Sequence, residues 1–221
     1  MLFRSTLLPR DPLPQTLCGA FDRRDAMIAT DDVLFFDTET TGLAGGTGTR
    51  AFMIGIAQWR NAGPHIGLHI RQWLMTTLAA ERDLLAAFAD TLRDNSILAS
   101  YNGKSYDAPL LATRFRLARM RNPLAGLDHI DLLYPTRRRY KGRWENCRLA
   151  TIEREVLGIV REDDLPGSEA PAAWLSYLRG GSARNLRRVA DHNRQDLASL
   201  AGLLVHHVCA DAHDPATASS P

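Results

Sequence analysis

Short apolar runs separated by turn residues dominate the first third of the chain. Val33 to Phe36 is a β-branched and aromatic run that is followed at once by two acids, and it predicts a buried strand. After a Gly- and Thr-rich turn over 42–49, Arg50 to Trp59 predicts a second strand, and a third is expected near Ile66 to Leu74. These three strands together predict an antiparallel meander.

Helical spacing of apolar residues becomes the main pattern further along. Three helices are predicted at Leu78 to Leu92, Ser105 to Met120 and Ala183 to Cys209. Shorter elements lie between them: strands at Ile97 to Ser100 and His129 to Leu133, and helices at Leu149 to Leu157 and Ala172 to Leu178. Strands followed by alternating strands and helices predict an α/β fold, in which helices flank a mixed sheet of an antiparallel meander plus parallel strands.

The length of 221 residues predicts one main domain, which we place over residues 31–210. The mixed, proline-containing residues 1–30 are expected to form an N-terminal arm. The Ala-, Ser- and Pro-rich residues 211–221 are expected to form a disordered tail.

Composition narrows the class of protein further. No apolar run is long enough to span a membrane, and the first ten residues lack the pattern of a signal peptide. Three cysteines at no metal-like spacing are typical of reduced thiols, so a cytoplasmic location is expected. The net charge is only +2, so any affinity for nucleic acid must come from local clusters of cations.

The first candidate for chemistry is a pair of acids at the end of a predicted strand. Asp37 and Glu39 are two residues apart, so their side chains point to the same face. Two neighbouring, partly buried carboxylates are costly unless a cation compensates them, and Mg²⁺ and Mn²⁺ prefer such oxygen ligands. An isolated pair of this kind is nevertheless more often a solvated strand end.

Two further predicted elements carry acids that, taken singly, would not indicate a catalytic site. Asp107 follows a short predicted strand and opens a predicted helix, where the helix dipole favours an acid. The nearby Gly103-Lys104-Ser105 does not belong to a phosphate-binding P-loop, because Leu98 stands where the first glycine is required. His192 and Asp196 are four residues apart on one face of the last predicted helix.

Taken together, the four acids come from separate parts of the chain and predict a site for two divalent cations, Mg²⁺ or Mn²⁺, acting on a phosphodiester. The residues resemble the DEDD family of 3′–5′ exonucleases, which has a ribonuclease H-like fold. The first motif runs from Asp37 to Leu43, the second from Asn102 to Asp107, and the third from His192 to Asp196.

Within that family, the chain is most similar to the YprB-like branch, predicted nucleases that are related to the proofreading domain of family B DNA polymerases. The branch shares three further stretches of this chain, at residues 45–49, 129–133 and 147–167. The resemblance covers roughly residues 32 to 206.

The resemblance implies a catalytic role for each acid. Asp37 would bridge both metal ions, Glu39 and Asp196 would complete the site of the attacking water, and Asp107 would serve the second ion on the side of the leaving oxygen. Residues implied to contact the terminal nucleotide are Thr40, Thr41, Gly42, Leu43, Asn102 and Tyr106.

One position departs from the two large branches of the family. His192 lies four residues before Asp196, at the position where one branch has a tyrosine. Asp191 occupies the position five residues before Asp196, where the other branch has a histidine. Histidine titrates near neutral pH and is a competent general base. We therefore assign His192 as a general base or as a residue that orients the water.

A basic segment, Arg137 to Trp144, combines five cations with two aromatic residues. It is either a nucleic-acid contact or a solvated loop. Arg161 to Asp164 is either a lid that reaches the site or an ion-paired surface loop, and we favour the loop. His129 and Asp131 are either substrate-facing or a strand-end pair, and we favour the strand-end pair. We assign His206 and His207 no chemical role.

The expected partner is a single-stranded nucleic-acid 3′ end, DNA or RNA, with no membrane involved. Two alternatives stay open: a structure-specific endonuclease of the same fold, and a catalytically inactive nucleic-acid-binding module. The presence of all four acids argues against the second alternative.

Overall fold

A six-stranded mixed sheet forms the centre of the computed structural model, which describes residues 1–42, 47–60, 66–162 and 165–212. The strands lie in the order β1-β6-β5-β4-β7-β8. Their bounds are Leu2–Pro9 (β1), Val33–Thr40 (β4), Ala51–Arg60 (β5), Gly67–Leu74 (β6), Ile97–Ser100 (β7) and Asp128–Asp131 (β8). Thr16–Cys18 (β2) and Met27–Ala29 (β3) pair separately as a small hairpin.

Both kinds of strand pairing meet at β4. It pairs antiparallel with β5, which pairs antiparallel with β6, and it pairs parallel with β7, which pairs parallel with β8. The predicted α/β fold, with a meander and parallel strands in one sheet, is confirmed. Because β4 is central, the residues at its carboxyl end are reached by elements from both halves of the fold.

Six helices flank the sheet in the described part of the chain: Glu81–Ala89 (α1), Asp107–Leu117 (α2), Leu133–Tyr140 (α3), Leu149–Ile152 (α4), Ala170–Leu178 (α5) and Arg184–Ala212 (α6). Successive residues of β4 point to opposite faces, so that Leu34 and Phe36 join one buried cluster while Val33 and Phe35 join another. The helix α6 contributes to both clusters, through Leu186 and Val189 and then through residues from Leu197 onward.

The amino terminus differs from the predicted arm over residues 1–30. Its first part is strand β1, which pairs antiparallel with β6 along its length, from Leu2 opposite Leu74 to Pro9 opposite Gly67. β1 is an edge strand, and most of its side chains are exposed. Its sequence therefore lacks a clear alternation of apolar and polar residues, and the hydrophobic pattern does not predict the strand.

Other boundaries differ by smaller amounts. The helix α3 was not predicted, because its sequence contains Pro135 and three consecutive arginines. The predicted helix from residue 149 to 157 is α4 followed by a π-helical turn at Glu153–Leu157. The predicted tail lies largely outside the described residues. Within the described ranges, no helix is long and apolar enough to cross a membrane.

Candidate active site

The candidate site lies where α6 crosses strands β4 and β5. Asp37 on β4 is paired opposite Gly55 on β5. A Cβ atom at Gly55 would overlap with the Asn193 side chain and crowd Leu197. A glycine at this position therefore allows α6 to approach the sheet closely enough for its side chains to reach Asp37.

Asn193 fixes the carboxylate of Asp37 from the helix side. Its amide Nδ2 donates a hydrogen bond of 2.7 Å to Asp37 Oδ2. Its Oδ1 accepts a 2.8 Å hydrogen bond from Gln72 Nε2, which also donates to the carbonyl oxygen of Ala190 at 2.7 Å. Asn193 is fully buried, so this chain of hydrogen bonds holds Asp37 in one orientation.

Asp107 is brought to the site by the turn between β7 and α2. It is the first residue of α2, and its carboxylate accepts a hydrogen bond from the Thr38 hydroxyl. The turn itself is held by the fully buried Asp131, whose carboxylate accepts hydrogen bonds from the backbone N–H groups of Asn102 at 2.7 Å and Lys104 at 3.1 Å. Asp131 thus positions the loop that carries Asp107, a larger role than the expected strand-end pair.

Asp196 is paired with a cation in this structure. The Arg161 guanidinium donates from Nη2 to Asp196 Oδ1 and contacts His192 Nδ1 at 3.1 Å through Nη1. It also grips the buried Glu153 with two hydrogen bonds of 2.6 and 2.7 Å. Arg161 is ion-paired, but the favoured surface loop is wrong for it, because it reaches the candidate site as the alternative interpretation has it. Asp163 and Asp164 lie outside the described residues.

The surroundings of His192 limit its use as a proton acceptor. Its Nε2 lies 3.5 Å from Asp196 Oδ2, and its Nδ1 faces the Arg161 guanidinium. Since a guanidinium is only a donor, the neutral ring accepts at Nδ1 and carries its proton on Nε2. In this arrangement neither ring nitrogen is available to accept a proton from a water molecule unless Arg161 moves.

The acids of the site repel one another. Burial, and then the charges of Asp196, Asp107 and Glu39, raise the pKa of Asp37 well above its usual range. Burial is also the main cause that raises the pKa of Asp107 to about 6, and Asp131 adds to it. Burial raises the pKa of Asp196, although His192 and Arg161 oppose the shift. The surroundings therefore disfavour the ionised forms of Asp37, Asp107 and Asp196.

This set of donors fits divalent cations by its chemistry. Four carboxylates supply the hard oxygen ligands that Mg²⁺ and Mn²⁺ prefer, and the mutual repulsion is what a cation would relieve. In the described residues, however, no three acidic, histidine or cysteine side chains converge closely enough to hold a metal as they stand. Asp107 is turned toward Thr38 and Asp196 toward Arg161, so both would have to reorient.

The predicted substrate-contacting residues lie on two sides of this cluster. The hydroxyls of Thr40 and Thr41 are engaged in their own loop, the first with the Gly42 carbonyl at 3.0 Å and the second with the Arg50 N–H at 3.0 Å. Asn102 adopts a left-handed backbone with φ of 66°, and Tyr106 is 63% exposed. Leu43 lies outside the described residues.

The basic segment forms the end of α3 and the turn after it. Arg138 donates to the Phe21 carbonyl, Arg139 pairs with Asp211, and Arg143 lies over the Trp144 ring at 5.4 Å. Two of its cations therefore support contacts within the fold, which favours the structural interpretation for them. His207 is likewise structural, since it is fully buried, hydrogen-bonded to Thr136 and stacked on Phe21.

Sequence reasoning missed three residues that help to position the acids, Gln72, Glu153 and Asn193, and it favoured other roles for Asp131 and Arg161. Asn193 carried a signal, because it lies inside the third motif and between His192 and Asp196. Gln72 is a polar residue at a buried position of the third meander strand, where an apolar residue is expected. The pairing of Glu153 with Arg161 depends on a tertiary contact that no local pattern reveals.

Comparison with known proteins agrees with this architecture. The model of the RNase_H superfamily matches residues 34–208. YprB from Bacillus subtilis (strain 168) is 35% identical over 189 residues, which are 84% of this chain and 45% of YprB. The chain thus spans slightly less than half the length of that relative.

A solved structure shares the fold. The family B DNA polymerase from the hyperthermophilic archaeon Pyrobaculum calidifontis superimposes with a TM-score of 0.61 at 15% identity, over 77% of this chain and 24% of the polymerase. The resemblance that the three motifs indicated is confirmed by these findings.

Proposed function

The chain belongs to the RNase_H superfamily, which supports a nuclease-type function, and on this premise we propose that it is a metal-dependent 3′–5′ exonuclease acting on DNA or RNA. One observation carries the proposal. At the carboxyl end of the central strand, burial and then the charges of Asp196, Asp107 and Glu39 raise the pKa of Asp37 well above its usual range. Maintaining such repulsion in a folded protein is costly unless a bound cation relieves it.

The four acids are the proposed ligands of two divalent cations, Mg²⁺ or Mn²⁺. Such ions, when bound, lower the pKa of water and stabilise the negative charge that develops at phosphorus. The protein's own contribution is to orient the oxygens. Asn193 holds Asp37 by the 2.7 Å hydrogen bond, and the Thr38 hydroxyl holds Asp107.

His192 is proposed to orient the attacking water or, after Arg161 has moved, to accept its proton. The ring lies beside Asp196 on the same face of α6, which supports either role. Arg161 has a positioning role, because it holds both His192 and Asp196 through one guanidinium.

The terminal nucleotide is proposed to lie between the turn after β4 and the start of α2. Tyr106 offers an exposed ring for stacking, and the backbone near Thr40 to Gly42 offers polar groups. The hydroxyls of Thr40 and Thr41 already serve the loop, so contact there would be made by backbone or methyl groups.

Digestion of end-labelled strands tests this function. Single-stranded DNA and RNA, each labelled at either the 5′ or the 3′ end, are incubated with Mg²⁺, Mn²⁺ or EDTA. The proposal predicts a ladder from the 5′-labelled strand, immediate release of a labelled mononucleotide from the 3′-labelled strand, and no reaction in EDTA.

The alternatives give different products. Internal cuts on a circular single strand or on a branched substrate would identify an endonuclease. Binding without cleavage under all metal conditions would identify an inactive nucleic-acid-binding module. Either result would contradict the proposed exonuclease.

A further inference from the structure

One edge of the central sheet is formed by β1, which is paired on one side. Among the described strands, its neighbour in the sheet is β6 alone. The other side of an edge strand presents backbone N–H and C=O groups that can pair with a further strand, and proteins commonly protect such edges with charges, prolines or bulges. From Leu2 to Leu8, β1 has one charged residue, Arg4, no proline and no shift in its register with β6. The edge is therefore open to pairing.

The beginning of this edge is also apolar and exposed. Met1, Leu2 and Phe3 follow one another in the sequence and are 43, 54 and 56% exposed. The guanidinium of Arg4, the next residue, is paired with Asp191 on α6 at 2.7 Å. Contiguous exposed apolar residues are typical of a surface that binds another protein chain.

An apolar cavity adjoins the same end of β1. It has a volume of about 300 Å³ and lies between β1, β6 and the amino-terminal part of α6. Most of the residues that line it are apolar, among them Leu2, Phe3, Met53, Leu74, Leu186 and Ala190. A strand added next to Leu2 would bring its side chains beside this apolar surface, so that hydrophobic contact would add to backbone hydrogen bonds.

The sequence of β1 is complementary to itself. Residues 2–8 consist of two apolar residues, three polar residues and two apolar residues. A two-fold axis perpendicular to the sheet makes two copies of a strand antiparallel, and residues directly opposite each other then have neighbouring side chains on one face. With the axis at Ser5, the opposite pairs are Leu2 with Leu8, Phe3 with Leu7, and Arg4 with Thr6.

The neighbouring symmetric registers lose this match. An axis at Arg4 places the two Arg4 side chains directly opposite each other, and like charges in that position are destabilising. An axis at Thr6 places Arg4 opposite Leu8, and it places Phe3 opposite Pro9, which has no N–H to donate. The register centred on Ser5 therefore combines apolar pairing at both ends with separation of the arginines.

We infer that the β1 edge is the interface at which two copies of this chain join, with the two-fold axis at Ser5. The two six-stranded sheets form one continuous sheet in this dimer. An interface in which both copies use the same surface is the commonest kind in homo-oligomers. β1 is separated from β4 by β6 and β5, so the inference does not depend on the proposed function.

Sedimentation velocity of the full chain, from micromolar to several hundred micromolar concentration, tests the dimer. The wild type should pass from monomer to dimer. Ser5→Glu places two negative charges opposite each other in the dimer alone and should raise the dissociation constant at least about fivefold. Ser5→Ala is the matched control, because it loses the same 2.8 Å hydrogen bond between Ser5 Oγ and His69 Nε2 but adds no charge. Thermal melting checks that all three proteins are folded.

A cysteine at the axis tests the register. In a chain whose three native cysteines, Cys18, Cys147 and Cys209, are replaced by serine, Ser5→Cys places two Cα atoms about 5 Å apart, within reach of a disulfide. Leu7→Cys is the control on the same face of β1, and its two positions lie about 14 Å apart along the strands. Oxidation with diamide should link the Ser5→Cys chains into dimers and leave the Leu7→Cys chains unlinked.

The inference would be overturned by a wild type that stays monomeric over the whole concentration range. Equal dissociation constants for Ser5→Glu and Ser5→Ala would show that any dimer forms through another surface. A failure of Ser5→Cys to form linked dimers, or equal linking of Ser5→Cys and Leu7→Cys, would overturn the register. None of these results bears on whether the chain cleaves nucleic acid.

Discussion

Two clusters of charged residues lie close to the carboxyl end of β4, and their charges are compensated in different ways. In the first, Glu81 is paired with Arg50 and with Arg114, which grips it through two hydrogen bonds of 2.6 and 2.8 Å. In the second, Asp196 is paired with Arg161 and lies beside His192, while Asp37 and Asp107 accept hydrogen bonds from the uncharged side chains of Asn193 and Thr38.

The difference separates a structural cluster from a candidate catalytic one. Arg114 is 4% exposed and also donates to the Thr47 carbonyl, so the Glu81 cluster fastens the turn after β4 to α1 and α2. In the Asp37 cluster, the pKa values of Asp37, Asp107 and Asp196 are raised, mainly by burial, so their negative charges are poorly compensated. Charge that a fold leaves uncompensated indicates a ligand, whereas compensated charge indicates a role in stability.

The largest effect is expected from neutralising the Asp37 cluster. Asp37→Asn and Asp196→Asn should each lower nuclease activity by at least about 10³-fold, because each removes a proposed metal ligand. Thermal melting should show no loss of stability for Asp37→Asn, which removes a repelled charge, and a folded Asp196→Asn, in which Arg161 keeps Glu153 as its ion-pair partner. Asp32→Asn, outside the site, is the control. Full activity in either purified site variant would contradict the assignment.

The Glu81 cluster should respond in the opposite way. Glu81→Gln leaves the buried Arg114 without its charge partner and should reduce the free energy of unfolding by about 3 kcal/mol. Denaturant melts measure this change. Arg4→Gln, which breaks an exposed pair with Asp191, should change stability by less than about 1 kcal/mol. Equal effects of the two substitutions would remove the distinction between the clusters.

The raised pKa of Asp107 predicts a pH dependence of stability in EDTA. A carboxyl whose pKa is about 6 in the folded chain and about 4 when unfolded holds its proton more tightly when folded. The stabilisation that comes from this more tightly held proton is complete below about pH 4 and is lost as the pH rises through about 6. The free energy of unfolding of Asp107→Asn, relative to that of the wild type, should therefore rise by about 3 kcal/mol between pH 4 and pH 8.

Denaturant melts of both proteins across this range measure the difference. Parallel curves for the wild type and Asp107→Asn would show that the folded pKa of Asp107 is not raised, and the electrostatic account of the cluster would then be wrong.

A smaller effect is expected at Arg161, the cation shared by Asp196 and Glu153. Replacing it by glutamine frees Asp196 for metal, so Mn²⁺ affinity should rise about tenfold, equivalent to about 1.4 kcal/mol. Glu153 is 1% exposed and would be left charged and without this partner, so Glu153→Gln/Arg161→Gln is the matched variant. Unchanged or weaker Mn²⁺ affinity in both would refute competition between Arg161 and metal.

The parts of the fold that the sequence predicted are those with strong local patterns. The three meander strands and α6 have apolar spacing that matches their burial, and the predicted bounds lie within a few residues of the observed ones. Strand β1 was not predicted because an exposed edge strand buries few side chains. Helix α3 was not predicted because its sequence, with Pro135 and three arginines, lacks apolar residues at helical spacing.

The candidate site shows the same division. Asp37, Asp107 and Asp196 were identified from motifs, and in the structure the charges of Asp107 and Asp196 act on Asp37, while their role as a metal site stays a prediction. The contacts that orient them, Gln72 to Asn193 and Arg161 to Glu153, join residues 121 and 8 positions apart in the sequence. Such partners are set by tertiary packing, and so is the contact between Arg161 and His192 that limits the histidine as a base.

The most direct test of the difference between the two clusters is a calorimetric titration with Mn²⁺, which requires no substrate. The wild type and Glu81→Gln, at a temperature where both are folded, should bind Mn²⁺, and Asp37→Asn should lose that binding. The absence of Mn²⁺ binding by the folded wild type at millimolar concentrations, or equal binding by Asp37→Asn, would contradict the assignment of the Asp37 cluster as a metal site.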